Sequence, residues 1–285
     1  MPKTLLTALL GLFLLVGCDA VDASSDAPEL VVEAFLFTDQ PVHNIRVTEA
    51  IPLAALDAAD SLEVPVNDAT VTLTRDGVVF PLVSSGSDGF YHYAGTDLVV
   101  AEGDAFRLTV ERGGTSIQAR TVVPRQPESV ALSSDEIEVI RLQIGPFGVT
   151  NPGGADAVRE SLQNARISVT WDNTDADLHF VVVESLNDGD PDYILPEFVR
   201  DQAEQFRLVT EPTDLGVYDV DLRSMETFGD YQVIVYRVNA EYADLYDSRE
   251  QDSRDLNEPA SNIEGGLGVF SAFAGVVQFF EVVPE

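Results

Sequence analysis

From Leu30 onward the chain is built of short runs in which apolar and polar residues alternate, separated by turn residues. Within residues 69–75, Ala69, Val71 and Leu73 fall on one side of a two-residue period and Thr70, Thr72 and Thr74 on the other. Successive side chains of extended backbone point to opposite sides, so this is the pattern of a strand with one buried face. Comparable runs predict strands over 30–38, 44–51, 78–84, 90–94, 105–111 and 116–123. Asp76-Gly77, Ser87-Asp88-Gly89 and Gly113-Gly114 stand between them as hairpin and turn signals, and residues 54–64 read as a long connection. Strands this short, with a turn about every ten residues, point to a sandwich.

The PRQP run from Pro124 to Pro127 interrupts this rhythm and marks the expected boundary between two domains. Beyond it, strands are expected over 136–144, 166–172, 178–184, 206–210, 217–222, 231–238 and 276–283. Between Pro146 and Asn164 a glycine-rich loop (NPGG) leads into a short helix with Val158 and Leu162 on one face. After YQVIVYRV, the residues Tyr242, Leu245, Tyr246 and Arg249 fall at i, i+3, i+4 and i+7 within 239–253. That stripe predicts an amphipathic helix packing on its own sheet. An insertion over 191–205 carries Ile194, Leu195 and Phe198. The pattern predicts an all-β protein of two β-sandwich domains, 29–124 and 125–285, with a short helical insertion in the second.

The first residues read differently. Lys3 precedes an apolar, charge-free run, LLTALLGLFLLV, from Leu5 to Val16. As a helix, twelve residues span roughly 18 Å, well short of the roughly 30 Å hydrocarbon core, so the run reads as the apolar part of a signal peptide over 1–17. Leu15-Val16-Gly17-Cys18 resembles a lipobox, which implies cleavage before Cys18 and attachment of a lipid to its thiol. Cys18 is the single cysteine, so no intrachain disulfide competes for it. Residues 18–28 (CDAVDASSDAP) are small, polar and acidic, and read as a tether. The expected partners are therefore a membrane, met through the lipid, and the expected cofactor is that covalent lipid and no other.

Charge changes the picture next. Sixteen basic residues against 49 acidic ones give a formal charge of −33, and after Lys3 every basic residue is an arginine. Nucleic-acid binding is set aside, because affinity there comes from Lys and Arg neutralising phosphates. The acids are spread along the whole chain and not gathered in one patch, which favours adaptation to salt over a cation-handling surface. Self-repulsion on this scale works against a compact state, and molar salt shortens the Debye length to about 3 Å.

Candidate chemistry is sparse. His43, His92 and His179 have no metal-ligand spacing, and no G-x-S-x-G nucleophile turn occurs. No catalytic residue is assigned. Asn173, Asp175, Asp177 and Glu184 imitate the spacing of an EF-hand loop, but Leu178 stands where that loop needs glycine, and the reading is rejected. Asp188, Asp190 and Asp192 in NDGDPD crowd one turn and remain weak calcium candidates in a chain where acidic clusters are expected by chance. Gly265-Gly266-Leu267-Gly268 lacks the Lys and Ser/Thr of a phosphate loop, and Glu264 would repel an anion. Its glycines read as places of close backbone approach or positive φ.

Several motifs, taken in order, resemble one family. They are the lipobox, Leu30-Val31-Val32-Glu33, the run Val66-Asn67-Asp68-Ala69-Thr70-Val71-Thr72-Leu73, and the Asp88-Gly89-Phe90-Tyr91 turn. Gly103-Asp104-Ala105-Phe106-Arg107-Leu108 follows, and then the ending Asn262-Ile263-Glu264-Gly265-Gly266-Leu267-Gly268-Val269-Phe270. Together they look like the domain of unknown function 4249 family, envelope lipoproteins of Bacteroidetes-type bacteria. Asn262, Gly265, Gly266, Gly268 and Phe270 carry the most specific part of the likeness. The resemblance implies immunoglobulin- or transthyretin-like sandwiches and an outer-membrane setting, often beside TonB-dependent β-barrel receptors. It supplies no catalytic residues. The expected role is a non-enzymatic accessory to an outer-membrane transport or assembly system. The competing role is a surface adhesin or glycan-binding module, which calls for an exposed aromatic cluster such as Tyr193 with Phe198. A hydrolase using scattered acids is the third class, and it calls for two carboxylates facing each other across a sugar-sized groove.

Overall fold

The computed structural model describes residues 29–50, 63–187, 192–194, 207–221, 225, 227–249 and 261–285. Strands dominate. The first half contributes β1 (Glu29–Phe37), β2 (Asn44–Ala50), β3 (Glu63–Pro65), β4 (Thr70–Arg75), β5 (Val78–Ser84), β6 (Phe90–His92), β7 (Ala105–Arg112) and β8 (Thr115–Val122). There follow β9 (Glu128–Leu132), β10 (Glu136–Val139), β11 (Ile144–Gly145), β12 (Gly148–Val149), α1 (Gly154–Asn164) and β13 (Arg166–Asp172). The rest of the chain supplies β14 (His179–Ser185), β15 (Arg207–Val209), β16 (Val217–Asp221), β17 (Gly229–Arg237), α2 (Ala240–Arg249), β18 (Ile263–Glu264) and β19 (Leu267–Pro284).

The alternation read from the sequence is what builds the first core. Leu30, Val32, Ala34 and Leu36 of β1 point into it, as do Val71 and Leu73 of β4 and Phe106, Leu108 and Val110 of β7. β5 pairs with β4 along most of its length and with β6 at its end, so one strand turns the corner between layers. A second core lies between the sheet β16-β13-β9 and the inner faces of β10, β14, β17 and β19. Trp171, Val181, Val183, Tyr231, Val233, Val235 and Phe280 fill it, with Val158 of α1 buried and Leu162 packed against it.

β19 joins the two. Its first half runs parallel to β1, from Val31↔Leu267 to Phe37↔Phe273, and its second half pairs antiparallel with β17, from Arg237↔Ala274 to Gly229↔Val282. β10 lies along its final residues. The last strand thus crosses the division expected at Pro124–Pro127, and Ile263, Phe270, Ala272 and Ala274 belong to the first core. This strand was expected only over 276–283. Its earlier half starts in the glycine run, where the close approach read from the sequence is seen: a Cβ on Gly268 would collide with the Val32 carbonyl and one on Gly266 with the Leu30 carbonyl. Gly265 and Gly268 also hold φ at +85° and +112°, where other residues are strained. The glycines are what let β18 turn into a strand lying directly against β1. The strand expected over 136–144 also differs: β10 ends at Val139, and the chain resumes pairing only in the small hairpin β11–β12.

Candidate functional site

Where β1 and β17 meet on opposite edges of β19, the outward face of the joined sheet is apolar. The inward residues of β14 and β17 fill the second core, and their alternates Phe180, Val182, Ile234 and Tyr236 face the other way. Strands apolar on both faces need a cover on each, or else they display a surface. β1 adds Phe35 and Phe37, β19 adds Phe273, and α2 lays Tyr242 against them. Phe273 is the hub: its ring centroid lies 5.0 Å from Phe37, 5.0 Å from Tyr242, 5.4 Å from Phe180 and 5.9 Å from Phe35. Phe180 stacks on Tyr236 at 5.0 Å and 24°.

These rings floor a cleft of about 600 Å³ whose rim is polar: Glu33, Gln40, His43, Asn44, Glu184, Arg207 and Gln232. Gln40 Nε2 donates to Tyr236 Oη at 2.9 Å. Burial pushes the Tyr236 phenol above its ordinary value, so it stays a neutral hydroxyl. Glu184 accepts from Arg207 Nε at 2.6 Å and from Gln232 Nε2 at 2.8 Å. Glu33 pairs with Arg46 at 3.7 Å. Each of the two carboxylates on the rim is therefore held by an arginine. Beyond the rings the same sheet face continues as Val209, Val277 and Phe279, the last 62% exposed. The cleft is thus amphipathic, with an aromatic floor and a polar rim, and its size is that of a small-ligand site.

Among the residues singled out from sequence, His43, Tyr242 and Leu245 line the cleft. Cys18, Asp188, Asp190 and Phe198 lie outside the described residues. Asp192 accepts from both terminal guanidinium nitrogens of Arg141, which hold its carboxyl below the usual range. Among the described residues no group of three or more His, Cys, Asp or Glu is arranged to hold a metal. Tyr193 bridges Thr227 through backbone and does not enter the aromatic cluster, which forms from β1, β14, β17, β19 and α2 instead. No local motif could announce that cluster, because its members are brought together only by the pairing of distant strands. His43 is on the cleft rim, and His92 pairs with Val83 in β6.

His179 is buried at 1% exposure beside Trp171, ring centroids 5.4 Å apart. Its Nδ1 faces the Asp177 carbonyl at 2.9 Å, which puts the proton on Nδ1 and leaves Nε2 a bare acceptor. Among the described residues neither Nε2 nor the Trp171 indole N–H has a hydrogen-bond partner. Burial lowers the His179 pKa to about 4, so the ring is neutral at pH 7.

The family residues form the seam. Asn262 works as a substitute strand residue on the edge of β19 away from β1: its Oδ1 accepts from Phe270 N–H at 2.9 Å and its Nδ2 donates to Phe270 C=O at 2.7 Å. Asn239, just before α2, accepts from the Ser271 hydroxyl and donates to Thr121 Oγ1 at 2.7 Å.

Fold and site together define a mostly β protein with two cores strung on one shared strand and an aromatic cleft at the junction. No helix among the described residues is long and apolar enough to cross a membrane. The chain belongs to the family described as Domain of unknown function (DUF4249), whose model matches residues 19–278. No curated protein matches it. Among solved structures it is similar to domains A168–A170 of titin, at 10% identity and a TM-score of 0.21, covering 91% of this chain and 67% of that one. The FN1–FN3 domains of chicken CNTN1 are similar at 10% identity and a TM-score of 0.25, covering 88% and 66% of the two chains. Likeness at this level carries no argument about ligand or partner.

Proposed function

We propose that this is a non-catalytic lipoprotein, held at the outer membrane through lipid on Cys18, that binds an amphipathic ligand in the aromatic cleft. It serves as an accessory to an outer-membrane transport or assembly system of the TonB-dependent receptor type. In this reading the halves are two sandwich domains of immunoglobulin or transthyretin type that share β19, and the ligand sits where they join. The cleft carries the reading: a ring floor of about 600 Å³ with amides and ion-paired carboxylates around it. Glu33 and Glu184 each face an arginine, which sets them on the rim as placed polar groups beside the rings.

The same rim favours one second reading, a glycan-binding module. Aromatic faces suit the apolar side of a sugar ring, and Gln40, Asn44 and Gln232 suit its hydroxyls. Crosslinking in native membranes kept in molar salt, then pull-down of this chain, separates the two. One β-barrel receptor recovered in near-equal amount is the result expected of the accessory role. Recovery of the chain alone contradicts that role and leaves the glycan module.

A further inference from the structure

At the Pro284 end of β19 the chain exposes an apolar hairpin to water. Ile144 pairs with Val149 and Gly145 with Gly148, and Pro146-Phe147 makes the turn. Phe147 at the tip is 104% exposed, with Ile144 and Val149 at 44% and 38%. Single exposed apolar side chains are ordinary, but three gathered on one tip are a surface. No acidic residue occurs between Glu138 and Asp156, in a chain with 49 of them among 285 residues.

The hairpin is fastened at its root. Asn151, 8% exposed, donates from Nδ2 to the Arg141 carbonyl at 2.7 Å and accepts from Gln143 N–H at 2.7 Å. Thr150 N–H closes the ladder onto the Gln143 carbonyl at 2.9 Å. Arg141 is itself gripped by Asp192 and lies 4.5 Å over the Phe228 ring. Pro146 fixes its own φ, and Gly148 sits at +116°, a conformation cheap only for glycine. Phe147 is thus presented on a segment already ordered, and docking it would freeze little further chain.

We propose that this hairpin is a docking knob that inserts Phe147 into an apolar socket, rimmed by neutral or basic groups, on a partner protein of the envelope. An acid-free tip lets a body of formal charge −33 approach another surface with less repulsion than its acidic segments would meet. A second copy of this chain would bring the same charge to the contact. The choice of protein over bilayer rests on the reading of Cys18 as the anchor. Glu29 begins β1 beside the Gly266 end of β19, and the hairpin leaves at the other end, so the 18 residues of β19 put roughly 55 Å between them. A body standing on its tether holds the knob away from its own membrane, and an acidic body is repelled from lying flat on an anionic one.

The test uses the full chain in its own cells, in molar salt, with photoreactive benzoyl-phenylalanine placed at position 147. Irradiation is expected to give one protein adduct, absent when the same group replaces Leu215, which is 59% exposed elsewhere. Phe147→Asp should lower recovery of that protein with the otherwise native chain by roughly tenfold or more, whereas Phe147→Leu keeps most of it. Both variants should melt with the wild type. Adducts only to lipid, only to a second copy, or none at all overturn the proposal. A β-barrel receptor recovered by pull-down with no adduct at 147 sinks the knob and spares the accessory role. A protein adduct at 147 on a chain that takes no palmitate at Cys18 spares the knob and sinks the lipid-anchor reading.

Discussion

Asn262 does with one side chain what a further strand would otherwise do. Both backbone groups of Phe270 end on its amide, and Phe270 itself is 0% exposed. Asn262→Ala would leave a buried N–H and C=O unpaired, and is expected to cost about 2 kcal/mol in urea unfolding. A loss under about 0.5 kcal/mol would show that water replaces the amide. His179 sets a pH dependence. Its folded pKa of about 4 lies below the ordinary 6.5, so its contribution to stability is full above pH 6.5 and is lost as pH falls toward 4. Between pH 7 and 4.5 the wild type should therefore lose about 2 kcal/mol more than His179→Gln, read from urea midpoints. Equal losses would mean the ring protonates in place. At this scale the glycines were legible, since only close approach or positive φ explains Gly265, Gly266 and Gly268 in a run without phosphate-loop chemistry. The amide of Asn262 was not, because its partner lies eight residues on, across a turn.

Apart from β3, which pairs with β2 at the end of the segment expected to be a connection, the strands of the first half lie within a residue or two of where alternation puts them, because each has one wet face and one dry face. β14 and β17 were also legible as strands, but their unbroken apolar runs, FVVV and VIVY, conceal which face meets the core. That missing face is the cleft. Phe273 shows the cost of expecting the last strand only over 276–283: it lies in the earlier half of β19, to which no strand was assigned, and four rings pack on it. Phe273→Ala should cost about 3–5 kcal/mol, as for other buried aromatics, with Val277→Ala far milder because Val277 is 40% exposed. Equal effects of the two would mean the ring floor is loosely packed. The helices α1 and α2 fall where their stripes place them, Val158 and Tyr242 each turning onto a core or ring cluster.

Across the whole molecule two long-range facts govern behaviour. The formal charge of −33 opposes compaction everywhere at once, so the melting temperature should rise between dilute buffer and molar sodium chloride. An unchanged value would remove salt adaptation as the reason for the lysine-free composition. The second fact is that the cleft belongs to neither half alone. Its walls come from β1, β14, β17, β19 and α2, which meet because one strand pairs in both directions, and composition gives no sign of such a meeting. Whether the cleft is the working site is decided by native mass spectrometry of the chain released from its own envelope in volatile salt. Wild type should carry one amphipathic small molecule per chain, and Phe35→Ser with Gln40→Ala should carry none while melting within a few degrees of it. A wild-type chain that is folded and bare, or a variant that keeps the same mass, would contradict the assignment of function to this cleft.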